Sequence, residues 1–323
     1  MKPIGRILLV FAVVSLLGAC TAATGTLGPV PSVVPTLAPS VGSGDPDLTP
    51  GPSATPSASP GPSGSPQANP SPSLSPGPDG TTIVRAYFYT SEGSEADLLP
   101  ILREVPETKA VATAAMNAIL GGPTASDPGY PSIGSAIPAG TRLLGLTIKD
   151  GVATVDLSSE FESGSGAMSV RLRLGQVVFT LTQFATVDSV LFQIDGHTVT
   201  VFGSQGVVLD GPVARADFED LLPDIYVDRP AYGAALGNPG RVTGSANVFE
   251  ATFRVTLLDN GGGTIADELV MATCGSGCRG TFDVTVRYDV PKAQWGTLRV
   301  WAGSAKDGSP VSVSEYPVWL TPG

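Results

Sequence analysis

RLLGLTIKDGVATVDL, the run from Arg142 to Leu157, decides how the middle of this chain folds. Two apolar stretches, Arg142 to Lys149 and Val152 to Leu157, flank Asp150-Gly151. A two-residue Asp-Gly connection supplies the positive φ angles that a tight hairpin needs, so the run predicts two antiparallel strands. Downstream the period changes. Val170, Leu174, Val177, Val178, Leu181 and Phe184 fall at i, i+4, i+7, i+8, i+11 and i+14, one continuous face, which predicts a helix from about Ser165 to Phe184. A second hairpin follows, Ser189 to Ile194, the turn Asp195-Gly196, then Thr198 to Phe202. Upstream, Thr82 to Tyr89 is rich in β-branched and aromatic residues and reads as a strand. Pro106-Glu107-Thr108 opens a helix with Thr108 as its cap. Val111, Ala115, Ala118 and Ile119 form its buried stripe, and Gly121-Gly122-Pro123 stops it. The order β-α-β-β-α-β-β predicts a small α+β domain over residues 81–213, with helices on one face of a sheet.

A helix-prone linker, 214–224, leads to a block of different texture. Ala251, Phe253, Val255 and Leu257 alternate with polar neighbours, as do Phe282, Val284, Val286 and Tyr288. Such alternation marks strands with one buried and one wet face. About seven short strands in residues 225–323 predict an all-β sandwich.

The first eighty residues are of another kind. Lys2 and Arg6 precede an apolar run, Ile7 to Leu17, that ends in Gly18-Ala19-Cys20. A basic start, an apolar stretch of about a dozen residues and small residues before the cut describe a secretory signal peptide over residues 1–19. An uncleaved spanning helix needs about 20 apolar residues, more than this run supplies. The segment resembles a bacterial lipobox, which implies a diacylglyceryl group on Cys20 as the mature N-terminus. Plain secretion, with Cys20 incidental, is the alternative. Two acyl chains give stable anchoring where one gives marginal binding. Residues 20–80 then form a tether: from Thr21 to Gly80 there is no aromatic residue, Lys or Arg, and the segment holds 15 of the 30 prolines. Such a composition cannot bury enough apolar surface to offset its ordering entropy. The predicted location is therefore extracytoplasmic, at the outer face of the cell membrane.

Several segments carry a family resemblance. Gly151-Val152-Ala153-Thr154-Val155-Asp156-Leu157-Ser158-Ser159-Glu160-Phe161 resembles the characteristic "G-x-A-x-V-D-L-S-x-x-F" segment of the GerMN domain. Thr180-Leu181-Thr182-Gln183-Phe184, Val187-Asp188-Ser189-Val190 and Ile194-Asp195-Gly196 resemble the same family's second helix and closing hairpin. Ile225 to Pro230, Val242 to Ala251 and Gly280-Thr281-Phe282 resemble the immunoglobulin-like domain of bacterial spore germination, which often follows a GerMN domain. The resemblance implies a sporulation- or germination-linked module of extracytoplasmic assemblies. It attaches no catalytic residue.

The residues themselves point the same way. The formal charge of -11 disfavours nucleic acid and anionic surfaces as partners. Cys274 and Cys278, in Cys274-Gly275-Ser276-Gly277-Cys278, are expected to form a short disulfide between two strands; no helix-start Cys-x-x-Cys and no neighbouring metal ligands are present. His197 is the only histidine and follows a turn, and no Gly-x-Ser-x-Gly elbow accompanies it. Asp156, Glu160 and Glu162 could serve as paired carboxylates or calcium ligands, but Ser159 and Glu162 stand in capping-box register at a helix start. Trp295, Trp301 and Trp319 could stack on carbohydrate, but a sandwich core or edge explains them more simply. The expectation is a non-enzyme without cofactor, metal site or identified ligand-binding residues. Its partners would be the membrane through the lipid anchor, envelope proteins or a second copy of the chain, and peptidoglycan as a further candidate.

Overall fold

The computed structural model describes residues 80–90, 96–202 and 206–323. The predicted signal peptide, Cys20 and the tether lie outside them. The described residues fall in one compact unit of α+β architecture.

The first block opens with β1 (Thr81–Thr90), β2 (Asp97–Pro106) and α1 (Val111–Leu120). There follow β3 (Ile133–Gly134), β4 (Leu143–Lys149), β5 (Val152–Leu157), α2 (Ala167–Leu181) and β6 (Ser189–Ile194). Three short strands close it: β7 (His197–Thr198), β8 (Val201–Phe202) and β9 (Val207–Val208). The Asp150-Gly151 and Asp195-Gly196 turns sit at positive φ, with Asp150 at 51° and Asp195 at 48°, as tight hairpins require. Strand β5 runs parallel to β6 through the α2 crossover, giving a sheet in the order β4-β5-β6-β7.

Strands β1 to β3 form a second sheet, β2-β1-β3, instead of joining the first, and β8 and β9 pair in a two-stranded sheet of their own. Strand β2 was not expected from the sequence. Pro100 interrupts its pattern, and β2 tolerates a proline because it is an edge strand whose outer side pairs with nothing in that sheet. Helix α1 begins at Val111, later than Pro106-Glu107-Thr108, because β2 extends through Pro106; Thr108 accepts the Ala110 N–H on its hydroxyl, in the approach to the helix and not as its cap. The predicted strand from Thr198 to Phe202 is divided, its first part pairing with β6 and its second with β9.

Helix α2 is buried around nearly its whole circumference between the two sheets. The polar residues Gln176 and Thr180 of α2, and Gln183 just past its end, are almost inaccessible, and all three turn toward β1. Gln183 Oε1 accepts the Arg85 N–H at 2.9 Å while Nε2 donates to the Arg85 carbonyl at 2.8 Å. The Tyr87 N–H donates to Thr180 Oγ1 at 3.2 Å, and Gln176 Nε2 donates to the Tyr87 carbonyl at 2.9 Å. These side chains, spaced i, i+4 and i+7, stand where a neighbouring strand would otherwise satisfy the β1 backbone.

The second block contains β10 (Ile225–Arg229), β11 (Ala235–Leu236), β12 (Gly240–Ala246) and β13 (Thr252–Leu258). It continues through β14 (Thr264–Met271), β15 (Gly280–Val286), β16 (Gln294–Gly303) and β17 (Pro310–Leu320). A three-stranded sheet, β10-β12-β15, faces a five-stranded one, β11-β17-β16-β13-β14. Phe253, Val255, Leu257, Phe282, Val286, Leu298 and Val318 fill the core between them, as the alternation requires. The helix-prone linker forms short 3-10 turns over Arg215–Leu221, with Asp217 accepting the Ala214 N–H at 2.8 Å.

Candidate functional site at the domain junction

Two strands with period two meet where the blocks join. Arg85 and Tyr87 lie on one face of β1, and Tyr226 and Asp228 on one face of β10. Arg85 Nη1 pairs with Asp228 Oδ1 at 2.9 Å, with side chains 10% and 24% exposed. The Tyr87 and Tyr226 hydroxyls are 3.0 Å apart, and Tyr226 donates to Asp228 Oδ1 at 3.4 Å. Arg215 from the linker closes the cluster. Its guanidinium lies 4.9 Å from the Phe179 ring centroid and 5.6 Å from that of Tyr87. Its Nε donates to Thr182 Oγ1 at 2.8 Å.

Burial, followed by the neighbouring Tyr87 and Asp228, pushes the Tyr226 phenol well above its usual range. Burial alone would pull Arg85 and Arg215 down; the nearby Asp228 and the two tyrosines outweigh it and hold both guanidiniums above the usual value. The cluster is a fixed set of charges and hydrogen bonds.

Beside it opens a polar cleft of about 680 Å³, its walls formed by Asp97, Glu219, Asp224, Asn247, Cys278 and Arg279 among others. Arg279 Nη1 donates to the Pro223 carbonyl at 3.0 Å and Nη2 to the Glu219 carbonyl at 3.4 Å. Asp220, at the rim, pairs with Arg171, and Asp224 accepts the Ser312 hydroxyl at 2.7 Å. Burial draws Arg279 below the usual guanidinium range, against the pull of Glu219 and Asp224. The lining suits a polar or cationic group. Among the described residues no set of three His, Cys, Asp or Glu side chains is arranged to hold a metal ion.

The carboxylates singled out from sequence do not converge. Asp156 accepts the Gly196 N–H at 2.9 Å, and Glu160 lies 3.6 Å from Arg142. The Ser158 hydroxyl, then the backbone, hold the Glu160 carboxyl below its ordinary range. Ser159 and Glu162 make no capping box. They form a 3-10 turn, Ser159–Glu162, without a side-chain cap, and α2 starts afresh after Gly166, whose φ of 104° suits glycine. His197 is exposed at the start of β7.

The tryptophans divide. Trp295 and Trp319 are cross-strand partners on β16 and β17, 46% and 36% exposed, with ring centroids 5.3 Å apart and nearly perpendicular. Trp301, further along β16, donates its indole N–H to Thr256 at 3.1 Å. Cys274 and Cys278 are bonded to each other, with Cα atoms 5.8 Å apart. The junction residues Arg85, Tyr87, Arg215, Tyr226 and Asp228 escaped sequence reasoning, since the Arg85–Asp228 and Tyr87–Tyr226 partners lie more than a hundred positions apart and Arg215 meets Thr182 across 33.

Residues 85–200 match the sequence model of the family described as "Sporulation and spore germination", the GerMN-type domain, and residues 224–309 match the "Immunoglobulin-like domain of bacterial spore germination". The chain joins a GerMN-type domain to a spore-germination immunoglobulin-like domain. Neither is a known enzyme family. Among solved structures, the first GerMN domain of the sporulation protein GerM from Bacillus subtilis is 25% identical, with a TM-score of 0.33, over 42% of this chain and 98% of that one. The tandem GerMN domains of the same protein are 20% identical, TM-score 0.36, over 64% and 61%. A Clostridium perfringens protein provisionally named a lipoprotein is 22% identical, TM-score 0.31, over 44% and 93%. No curated protein matches the sequence. The junction cluster lies where the GerMN-type and immunoglobulin-like domains meet, with Arg85 and Tyr87 from one and Tyr226 and Asp228 from the other.

Proposed function

We propose that this chain is a non-catalytic interaction module of the cell envelope, anchored through a lipid on Cys20 and held outside the membrane by its Pro-rich segment. In this reading the GerMN-type and immunoglobulin-like domains act as one rigid body that presents surfaces to envelope proteins or to a second copy of the chain. The observation that carries it is the junction cluster. Arg85, Asp228, Tyr87, Tyr226 and Arg215 engage one another across the two domains, which supports a fixed display geometry and leaves none of them free for chemistry.

The family link to sporulation and germination supports an envelope role. Crosslinking in intact cells, run beside a pull-down on purified peptidoglycan, tests the proposal. The expected result is a discrete protein adduct. Saturable binding to wall material with no protein adduct would overturn it in favour of a second reading, a glycan-binding protein, which the exposed Trp295–Trp319 pair supports.

A further inference from the structure

The Cys274–Cys278 loop touches more than its own strands. Ser276 N–H donates to the Val248 carbonyl at 3.0 Å, the Glu250 N–H donates to Ser276 Oγ at 2.9 Å, and Gly277 N–H donates to Asn247 Oδ1 at 3.1 Å. Asn247 in turn donates its N–H to the Asp224 carbonyl of the linker at 2.8 Å. Gly275 sits so close to this segment that a Cβ there would lie 2.5 Å from Ala251 Cα. The residue directly after the bridge, Arg279, spans to the linker carbonyls of Pro223 and Glu219. The bridge therefore directly precedes the side chain that clamps the linker at three carbonyls, Glu219, Leu222 and Pro223. Cys278 is exposed and lines the junction cleft, so a small thiol reaches it.

We infer that the Cys274–Cys278 disulfide is a redox-sensitive latch on the domain junction: closed, it fixes Arg279 across the linker, and opened, it frees the linker and reshapes the cleft. The chemistry is thiol–disulfide exchange with an external dithiol. A thiolate attacks Cys278 Sγ, the S–S bond breaks, and Cys274 leaves as thiolate and takes up a proton. The second thiol of the reductant then displaces Cys278 as a thiol, and the reductant departs as a disulfide. Two electrons and two protons pass to the protein.

Hydrogen exchange measured by mass spectrometry on the full chain tests this, comparing the oxidised protein with protein reduced by dithiothreitol and then alkylated. The amide of Leu222, bonded to the Glu219 carbonyl, and that of Asn247 are the reporters. Reduction should speed their exchange by about tenfold or more, the mark of local opening, while strands β12, β13 and β16 stay protected. Arg279→Ala in the oxidised state should reproduce the linker change without loosening residues 274–278, and Arg279→Lys should give an intermediate effect, since a point charge replaces the guanidinium fork. Unchanged exchange at Leu222 and Asn247 on reduction overturns the latch. So does loss of protection throughout the immunoglobulin-like domain, which would make the bridge a general staple of that fold.

Discussion

Gln183→Leu asks whether α2 and the turn that ends it act as the missing neighbour of β1. Gln183 is 2% exposed, accepts the Arg85 N–H and donates to the Arg85 and Thr180 carbonyls. Leucine has similar bulk but leaves the Arg85 N–H and C=O buried without those partners. Each unsatisfied buried group costs about 1–3 kcal/mol, so the pair costs about 2–6 kcal/mol. Extra apolar burial offsets about 1.5 kcal/mol of that. The net expectation is a loss of about 0.5–4.5 kcal/mol. At a urea slope of about 1–3 kcal/mol/M the unfolding midpoint, followed by far-UV circular dichroism, should fall by about 1 M. Gln183→Glu keeps the acceptor, loses the donor and adds a buried charge, so it should also destabilise. If Gln183→Leu matches the parent protein within about 0.5 kcal/mol, the side-chain bonds to β1 are not what holds the strand in place and the reasoning fails.

The junction makes a second prediction. Asp228→Leu strands the largely buried Arg85 guanidinium and should destabilise by about 1–3 kcal/mol, below the range for a fully buried pair because Asp228 is partly exposed; adding Arg85→Met should restore part of the loss, and strict additivity of the two changes in a double-mutant cycle would count against a coupled pair. A third concerns acid. Burial would raise the Asp127 carboxyl, but the two-pronged Arg103 bond and the Thr124 N–H outweigh it and hold it below its ordinary range. A carboxylate depressed on folding adds stability above its unfolded pKa, about 3.9, and loses it as pH falls through the lower folded value. The parent protein should thus lose stability relative to Asp127→Asn between about pH 5 and the acid limit, as read by melting temperature against pH, and parallel curves would refute the assignment.

How legible the chain was depends on the range over which each signal acts. The Asp150-Gly151 and Asp195-Gly196 turns and the apolar face of α2 are local: both turns and the first hairpin stand where the sequence puts them, α2 falls within its predicted span, and the second hairpin keeps its turn but divides its outer strand. Strand β2 was hidden by Pro100, which a pattern treats as a break and an outer edge accepts. The Ser159–Glu162 capping register was local too, but Gly164 and Gly166, both at positive φ, separate that turn from the helix it should have capped. The polar triplet Gln176, Thr180 and Gln183 carried a readable clue, since hydrophilic residues at helical spacing within a run otherwise fit for a core call for a polar counterpart. Nothing local announces which counterpart. The pairing of Arg85 with Asp228 and Tyr87 with Tyr226 depends on two domains meeting, and no window of sequence contains both partners.

Because amide and hydroxyl side chains already engage the Arg85 and Tyr87 backbone on the free side of β1, an incoming extended polypeptide finds those ladder positions taken. Among the described residues, β4 in the first domain and β14 in the second stand at sheet edges where a peptide could zip on. The same occupancy guards that stretch of β1, in the middle of the molecule, against templated polymerisation.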